Sequence, residues 1–226
     1  MKGFSTGFAV ACLLAIPCQA FAQSPPPDSG GFYVGAGGAW STVSVEIAGY
    51  YDDDYCGLWG CSYYEDGDGG YGYTAHAGYR FMPYLAAEVN YVDPGLIRYN
   101  QGQVIVEGFP GVYKGKASLD ITAWEVSLLG ILPFADWWEV YLRAGVGFWQ
   151  GENDQRLVSI SDGSVLNGRN DADGTDFLFG LGIGFVPTPG WAFRLEFQTL
   201  TIDGEVLYTK KDASLDSVLF EVEYRF

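Results

Sequence analysis

The residue types able to do chemistry are few and unevenly placed. His76 is the single histidine of the chain and is followed by Ala77. Hydrolysis or acyl transfer asks for a nucleophile with a general base in reach, and no Ser–His arrangement can be read around His76. A second set is electrostatic: Arg80, Glu88, Glu125, Glu139, Arg143, Arg194, Glu196, Glu221, Glu223 and Arg225. Charges of both signs taken out of bulk water have to pair. Cys56 and Cys61 stand in the run CGLWGC, flanked by Asp52, Asp53, Asp54, Glu65, Asp66 and Asp68. Further on, Asp171, Asp173 and Asp176 surround Gly174. Such oxygen ligands suit calcium and make these three the calcium candidates, yet the full calcium-loop spacing and its distant Glu are absent. A solvated acidic loop is the plainer reading, and no bound metal or cofactor is expected.

Export decides which of these residues remain. Lys2 gives a basic start, residues 8–16 form a short apolar run, and Ala20-Phe21-Ala22 is a small-x-small cleavage site. Residues 1–22 therefore form a secretory signal peptide, too short to be a membrane helix. Pro17 and Ala15 make Cys18 a poor lipid-attachment site. Cleavage removes Cys12 and Cys18 and leaves Cys56 and Cys61 as an even pair in an oxidising compartment, where a disulfide is expected. Four-residue spacing with no histidine nearby is a poor zinc signature. The whole chain carries a net charge of −16, and cleavage takes away one Lys and no acid. An acidic balance of that size excludes a nucleic-acid binder.

These groups need a frame, and period two supplies it. Eight segments each carry one wholly uncharged, apolar parity. It reads Phe32, Val34, Ala36, Gly38 and Trp40 in the first; Tyr71, Tyr73, Ala75, Ala77, Tyr79 and Phe81 in the second; Leu85, Ala87, Val89 and Tyr91 in the third. Trp124, Val126, Leu128 and Leu132 mark the fourth, and Trp138, Val140, Leu142, Ala144, Val146 and Phe148 the fifth. Phe177 to Phe185, Trp191 to Phe197 and Val218 to Phe226 carry the remaining three on odd or even positions alone. All ten charges named above, and His76, fall on the opposite parity among Gly, Ala, Ser, Thr, Gln and Tyr. A soluble sandwich also alternates, but its solvent face carries lysines. Here Lys114, Lys116, Lys210 and Lys211 all lie between the segments.

Connections alternate in length. Short turns fall at 82–83, 133–136 and 187–190; long polar segments fall at 48–70, 93–116, 150–176 and 203–216. Short periplasmic turns with long extracellular loops are the outer-membrane pattern. Aromatic residues gather at both ends of the segments, as two interfacial girdles would. No stretch suits a spanning helix of about 20 apolar residues, which leaves a closed barrel as the membrane solution. The expected organisation is a signal peptide at 1–22, a disordered Pro-rich lead-in at 23–30 and an all-β, eight-stranded antiparallel up-and-down transmembrane barrel at 31–226, ending on the eighth strand with no peptidoglycan-binding domain.

The runs Gly78-Tyr79-Arg80-Phe81-Met82-Pro83-Tyr84-Leu85-Ala86-Ala87-Glu88 and Phe32-Tyr33-Val34-Gly35-Ala36-Gly37-Gly38, with the terminal Tyr224-Arg225-Phe226, resemble the OmpA/OmpX-type small outer-membrane barrel family across essentially the mature chain. The resemblance implies a Gram-negative outer membrane and recognition of the last strand by the barrel-assembly machinery. Tyr224 and Phe226 would then be an insertion signal as well as girdle residues.

Eight strands enclose a lumen that side chains can fill. The expectation is an interior closed by Arg/Glu pairs, Glu139 and Arg143 meeting Glu125 while Arg194, Glu196, Glu221, Glu223 and Arg225 form a second cluster. Inward glycines leave room for Tyr, Trp149 and Arg. The role is then structural or surface-interactive, for a monomer whose partners are outer-membrane lipids, lipopolysaccharide and an extracellular ligand or surface. Loop acids could also hold divalent ions against lipopolysaccharide phosphates. A narrow channel for ions or small solutes is the alternative. A lipid-modifying enzyme comes third, because His76 points away from lipid.

Overall fold

The computed structural model describes residues 30–45, 64–105, 112–202 and 213–226. Residues 1–29, where a signal peptide and most of a lead-in are expected, and Cys56 and Cys61 with their expected disulfide lie outside the described residues. The described residues form ten strands: β1 (Gly31–Val45), β2 (Tyr64–Asp68), β3 (Gly70–Met82), β4 (Leu85–Asp93), β5 (Ile97–Ile105), β6 (Val112–Ala135), β7 (Trp138–Ser159), β8 (Val165–Thr188), β9 (Trp191–Ile202) and β10 (Ala213–Arg225). All pairings are antiparallel.

The sheet closes on itself. Its order runs β6-β4-β3-β1-β10-β9-β8-β7, and β7 pairs again with β6. Eight strands thus form a ring without an edge, with β1 joined to β10 from Tyr33↔Arg225 to Val45↔Ala213. Closure satisfies every backbone ladder internally, as a lipid surround requires. β2 and β5 are not extra members of the ring. β5 pairs with the upper part of β6, above the stretch that β4 occupies, and β2 pairs with β5. The break between β4 and β5 falls at Pro94-Gly95-Leu96, where Gly95 has φ of +73° and its N–H donates to Asp93 Oδ1 at 2.9 Å. An added Cβ at Gly95 would lie 2.1 Å from the Tyr71 carbonyl oxygen, so this corner needs glycine twice over.

Parity is obeyed around the ring. Outward positions expose the apolar set, from Phe32 and Trp40 on β1 to Phe177, Phe179 and Leu181 on β8 and Phe220 on β10. On β6 the belt runs from Phe134 to Trp124. That is about 33 Å of strand, or about 25 Å of height at a tilt near 40°, which matches an outer-membrane hydrocarbon band. Rings meet side by side along its upper rim, with Tyr91 5.0 Å from Trp124 and 6.0 Å from Tyr73. The lower rim repeats this, Trp138 lying 4.8 Å from Phe185 and Trp191 5.1 Å from Tyr224.

The structure corrects two of the expected loops. Residues 93–116 and 150–176 are largely strand: β6, β7 and β8 run for 24, 22 and 24 residues. Roughly ten residues of each suffice to cross the membrane. Their upper halves, with β5 and β2, stand as a sheet above the belt. Period two persists there, but its outer face is polar up to Arg156 and turns apolar only near the tip, at Val158, Ile160 and Val165. Leu157 and Ser159 are buried while Asp154 and Arg156 are exposed. The sheet ends in a tight turn around Gly163, which also has φ of +73°.

Candidate functional site

The interior is built from inward positions of all eight ring strands. Arg194 of β9 sits at its centre and reaches across the lumen. Its Nη1 lies 2.8 Å from Glu88 Oε2 on β4 and 3.1 Å from Glu223 Oε2 on β10. Its Nη2 lies 3.2 Å from Glu196 Oε2, and its Nε 3.5 Å from Glu221 Oε2. The guanidinium also packs 4.7 Å from the centre of the Tyr141 ring and donates to the Tyr141 hydroxyl at 3.1 Å.

Arg143 of β7 is the second hub. It contacts Glu88 Oε1 at 2.5 Å and Glu196 Oε1 at 2.7 Å, and it donates to Ser127 at 3.3 Å. Sharing Glu88 and Glu196, the two arginines make one connected network rather than two clusters. Glu125 takes its hydrogen bonds from Gln198 at 2.6 Å and Asn90 at 3.0 Å, with Arg143 at 4.0 Å. Glu139 is placed away from Glu125, at the lower end, between Arg80 at 3.0 Å and Arg225 at 2.6 Å; Arg225 also holds Glu223 at 2.6 Å. All of these carboxylates are buried.

His76 points inward and is buried at 5% exposure. Its Nδ1 is 3.0 Å from Glu221 Oε1 and its Nε2 3.5 Å from Glu223 Oε2. His76, Glu88 and Glu223 present ligand atoms within 4.8 Å of one another. Arg194 Nη1 already touches all three residues, standing 3.3 Å from the His76 ring nitrogen. A side-chain cation occupies the place that a metal would take.

The calcium candidates do not converge. Asp171 and Asp173 share the outer face of β8, whereas Asp176 is on the inner parity and accepts a hydrogen bond from Trp149 Nε1 at 2.8 Å. The loop they were expected to form is strand, and a strand sends neighbouring parities to opposite faces.

Other interior residues carry no charge; of these the sequence singles out Trp149 and, without numbers, tyrosines beside inward glycines. Tyr33 donates to Glu88 at 3.0 Å and Tyr141 to Glu196 at 2.8 Å. Thr74 donates to Asn90 at 2.7 Å. The tyrosines lie over glycines: an added Cβ at Gly78 would be 2.2 Å from the Tyr33 ring, and one at Gly182 would be 2.2 Å from that of Tyr141. Above the charged layer, Leu119, Ile121, Ala123, Trp149, Leu178, Leu200, Ile202, Ala213 and Leu215 join Ile97 and Ala117 in one buried apolar cluster. Below it, Ala86, Leu129 and Ile131 pack with Tyr33 and Tyr141. The part of the network built on Arg143 and Arg194 therefore lies between two apolar layers, while the Arg80–Glu139–Arg225 group lies at the lower end. The signal was present in the inward parity of β6, where Leu119, Ile121 and Ala123 precede Glu125 and Ser127, and Leu129 and Ile131 follow.

At the chain end, Phe226 N–H donates to the Phe32 carbonyl at 3.0 Å. Its ring is 77% exposed and lies 5.1 Å from that of Tyr224.

The model of the outer membrane protein beta-barrel domain matches residues 8–226. Among solved structures, the attachment invasion locus protein Ail of Yersinia pestis is similar at 16% identity, covering 88% of this chain and all of that one, with a TM-score of 0.46. OprG from Pseudomonas aeruginosa shares 13% identity over 88% of this chain and 96% of that one, with a TM-score of 0.49. Neisserial surface protein A shares 17% identity over 86% and 97%, with a TM-score of 0.47. No curated protein matches the chain in a sequence search.

Proposed function

This chain belongs to the outer membrane protein β-barrel domain family and resides in the outer membrane; from that premise we propose that it is a monomeric barrel with a closed lumen that acts through its extracellular sheet. The observation that carries this reading is the layering of the interior. An ion entering from outside would first meet Trp149, Leu200, Ile202 and Leu119, all nearly fully buried. It would then meet carboxylates already engaged by Arg143 and Arg194. Passage needs both layers to open, which disfavours the channel alternative.

His76 serves the network rather than a reaction in this reading. Its ring nitrogens are engaged by Glu221, Glu223 and Arg194 inside the lumen, out of reach of lipid. Its loss should weaken packing, while the mass spectrum of lipid A should be the same with and without His76.

The upper halves of β6, β7 and β8 give the protein an ordered sheet beyond the membrane, larger than a closed lumen alone needs. A cysteine placed at Gly163, in the exposed turn between β7 and β8, should react with a membrane-impermeant maleimide on intact cells, with the unmodified protein as blank. A cysteine at Asp136, in the opposite turn, should react only after the outer membrane is permeabilised. The reverse pattern would place the long sheet in the periplasm and defeat the surface role.

A further inference from the structure

The cations of this acidic protein are sharply partitioned. Among the described residues, Arg80, Arg143, Arg194 and Arg225 belong to the lumen. The five others, Arg98, Lys114, Lys116, Arg156 and Arg169, all lie on the extracellular sheet. Lys114, Lys116, Arg156 and Arg169 are exposed on its outer face, as is Arg98 on β5. Register sets them side by side. Lys116 is opposite Arg156, which is opposite Asn167; one step lower, Arg98, Ser118, Asp154 and Arg169 form the adjoining row. Arg98, Lys116, Ser118, Arg156, Asn167 and Arg169 line a single open groove, four cations against one acid, Asp154. Arg169 is drawn toward Glu152 and Asp171; Lys116 and Arg156 have no ion pair among the described residues.

From this placement we propose that the groove binds the phosphorylated and carboxylated core saccharide of the lipopolysaccharide surrounding the barrel. Height selects that part of the molecule. Lys116 lies eight residues above Trp124 on β6, about 26 Å of strand, or about 20 Å above the upper girdle at the usual tilt. The lipid A phosphates lie at girdle level, below the groove. Between them and the groove stands an acidic row, Asp120 opposite Glu152 opposite Asp171. That row repels anions held low and leaves the basic rows to anions held higher. Arginine recognises phosphate and carboxylate through its planar fork of donors, and lysine adds a point charge. Asn167 and Ser118 supply neutral donors suited to sugar hydroxyls. The inference rests on the extracellular placement of this sheet.

The test uses the full barrel in detergent micelles, titrated with core oligosaccharide released from lipopolysaccharide by mild acid. Arms with the same oligosaccharide after dephosphorylation, with lipid A alone and with a sulfated polysaccharide are run alongside. The unmodified barrel should bind the phosphorylated core, more weakly at high salt, and prefer it to the other three. The double variant Lys116→Gln, Arg156→Gln should bind it at least about tenfold more weakly, the scale for losing charge-assisted contacts. Asp120→Asn with Glu152→Gln should not weaken it. Heat-modifiable gel migration reports the fold of each variant separately. Equal binding by a folded Lys116→Gln, Arg156→Gln barrel would overturn the site, as would preference for lipid A. Preference for the sulfated polysaccharide would overturn its assignment to the protein's own membrane. Each of these results leaves the closed barrel and the labelling pattern standing, so the two readings fail separately.

Discussion

Replacing Arg194 with Met should cost the barrel about 3–5 kcal/mol of stability, the range for breaking a buried ion pair from one side. The side chain keeps its approximate volume, so little of the effect is cavity. What changes is charge: Glu88, Glu196, Glu221 and Glu223 all lose the guanidinium that lies within 3.5 Å of them. Each keeps at least one other charged or ionisable partner: Arg143 for Glu88 and Glu196, His76 for Glu221, Arg225 for Glu223. None is left bare, but the layer loses its central cation. The readout is the urea midpoint of unfolding in micelles, followed by gel migration of unboiled samples. Adding Glu221→Gln to the Arg194→Met chain should restore part of the loss, because it removes one uncompensated charge. An unchanged midpoint would mean that water, rather than arginine, solvates the carboxylates, and the interior would then be wet.

Phe226→Ser should do the opposite: a severalfold fall in outer-membrane level with little change in the stability of barrels that do assemble. The ring is 77% exposed at the lower girdle, touching Tyr224. Substitutions near an interface cost about 0–1 kcal/mol even when they introduce charge. The backbone bond from Phe226 N to Phe32 O, which fastens the end of the β1–β10 seam, does not depend on the side chain. A purely thermodynamic role therefore predicts almost no effect, whereas recognition of Tyr224 and Phe226 during insertion predicts a large one. Quantifying outer-membrane fractions against urea midpoints separates the two. Normal levels would leave Phe226 as a girdle residue only.

These cases show why the sequence is informative at some positions and silent at others. Lipid imposes one rule on every outward position of the belt, so Trp124, Leu128 and Phe148 could be assigned to it without any partner being known. Above the belt that rule lapses. Asp154 and Arg156 face water on a strand as they would on a loop, so the sequence alone does not distinguish the upper halves of β6 to β8 from loops. Inward parity placed the ten charged residues and His76 on the lumen side, but it did not give their partners. Across an eight-strand ring, Arg194 on β9 meets Glu88 on the opposite strand, β4. Glu139 on β7 meets Arg80 on β3 and Arg225 on β10. No rule of neighbouring strands predicts such contacts, because they depend on register and shear. The apolar layer was missed for a related reason. Leu119 and Ile121 continue the inward parity of β6 beyond the point where its lipid face stops.

The closed lumen is tested most directly by recording current across planar bilayers containing the purified, folded barrel. With Trp149, Leu200 and Ile202 above an interlocked layer of six glutamates and four arginines, the expected trace is that of the bare bilayer, with no steps at either polarity. Reproducible stepwise openings that disappear when the protein is heat-unfolded before addition would contradict the account.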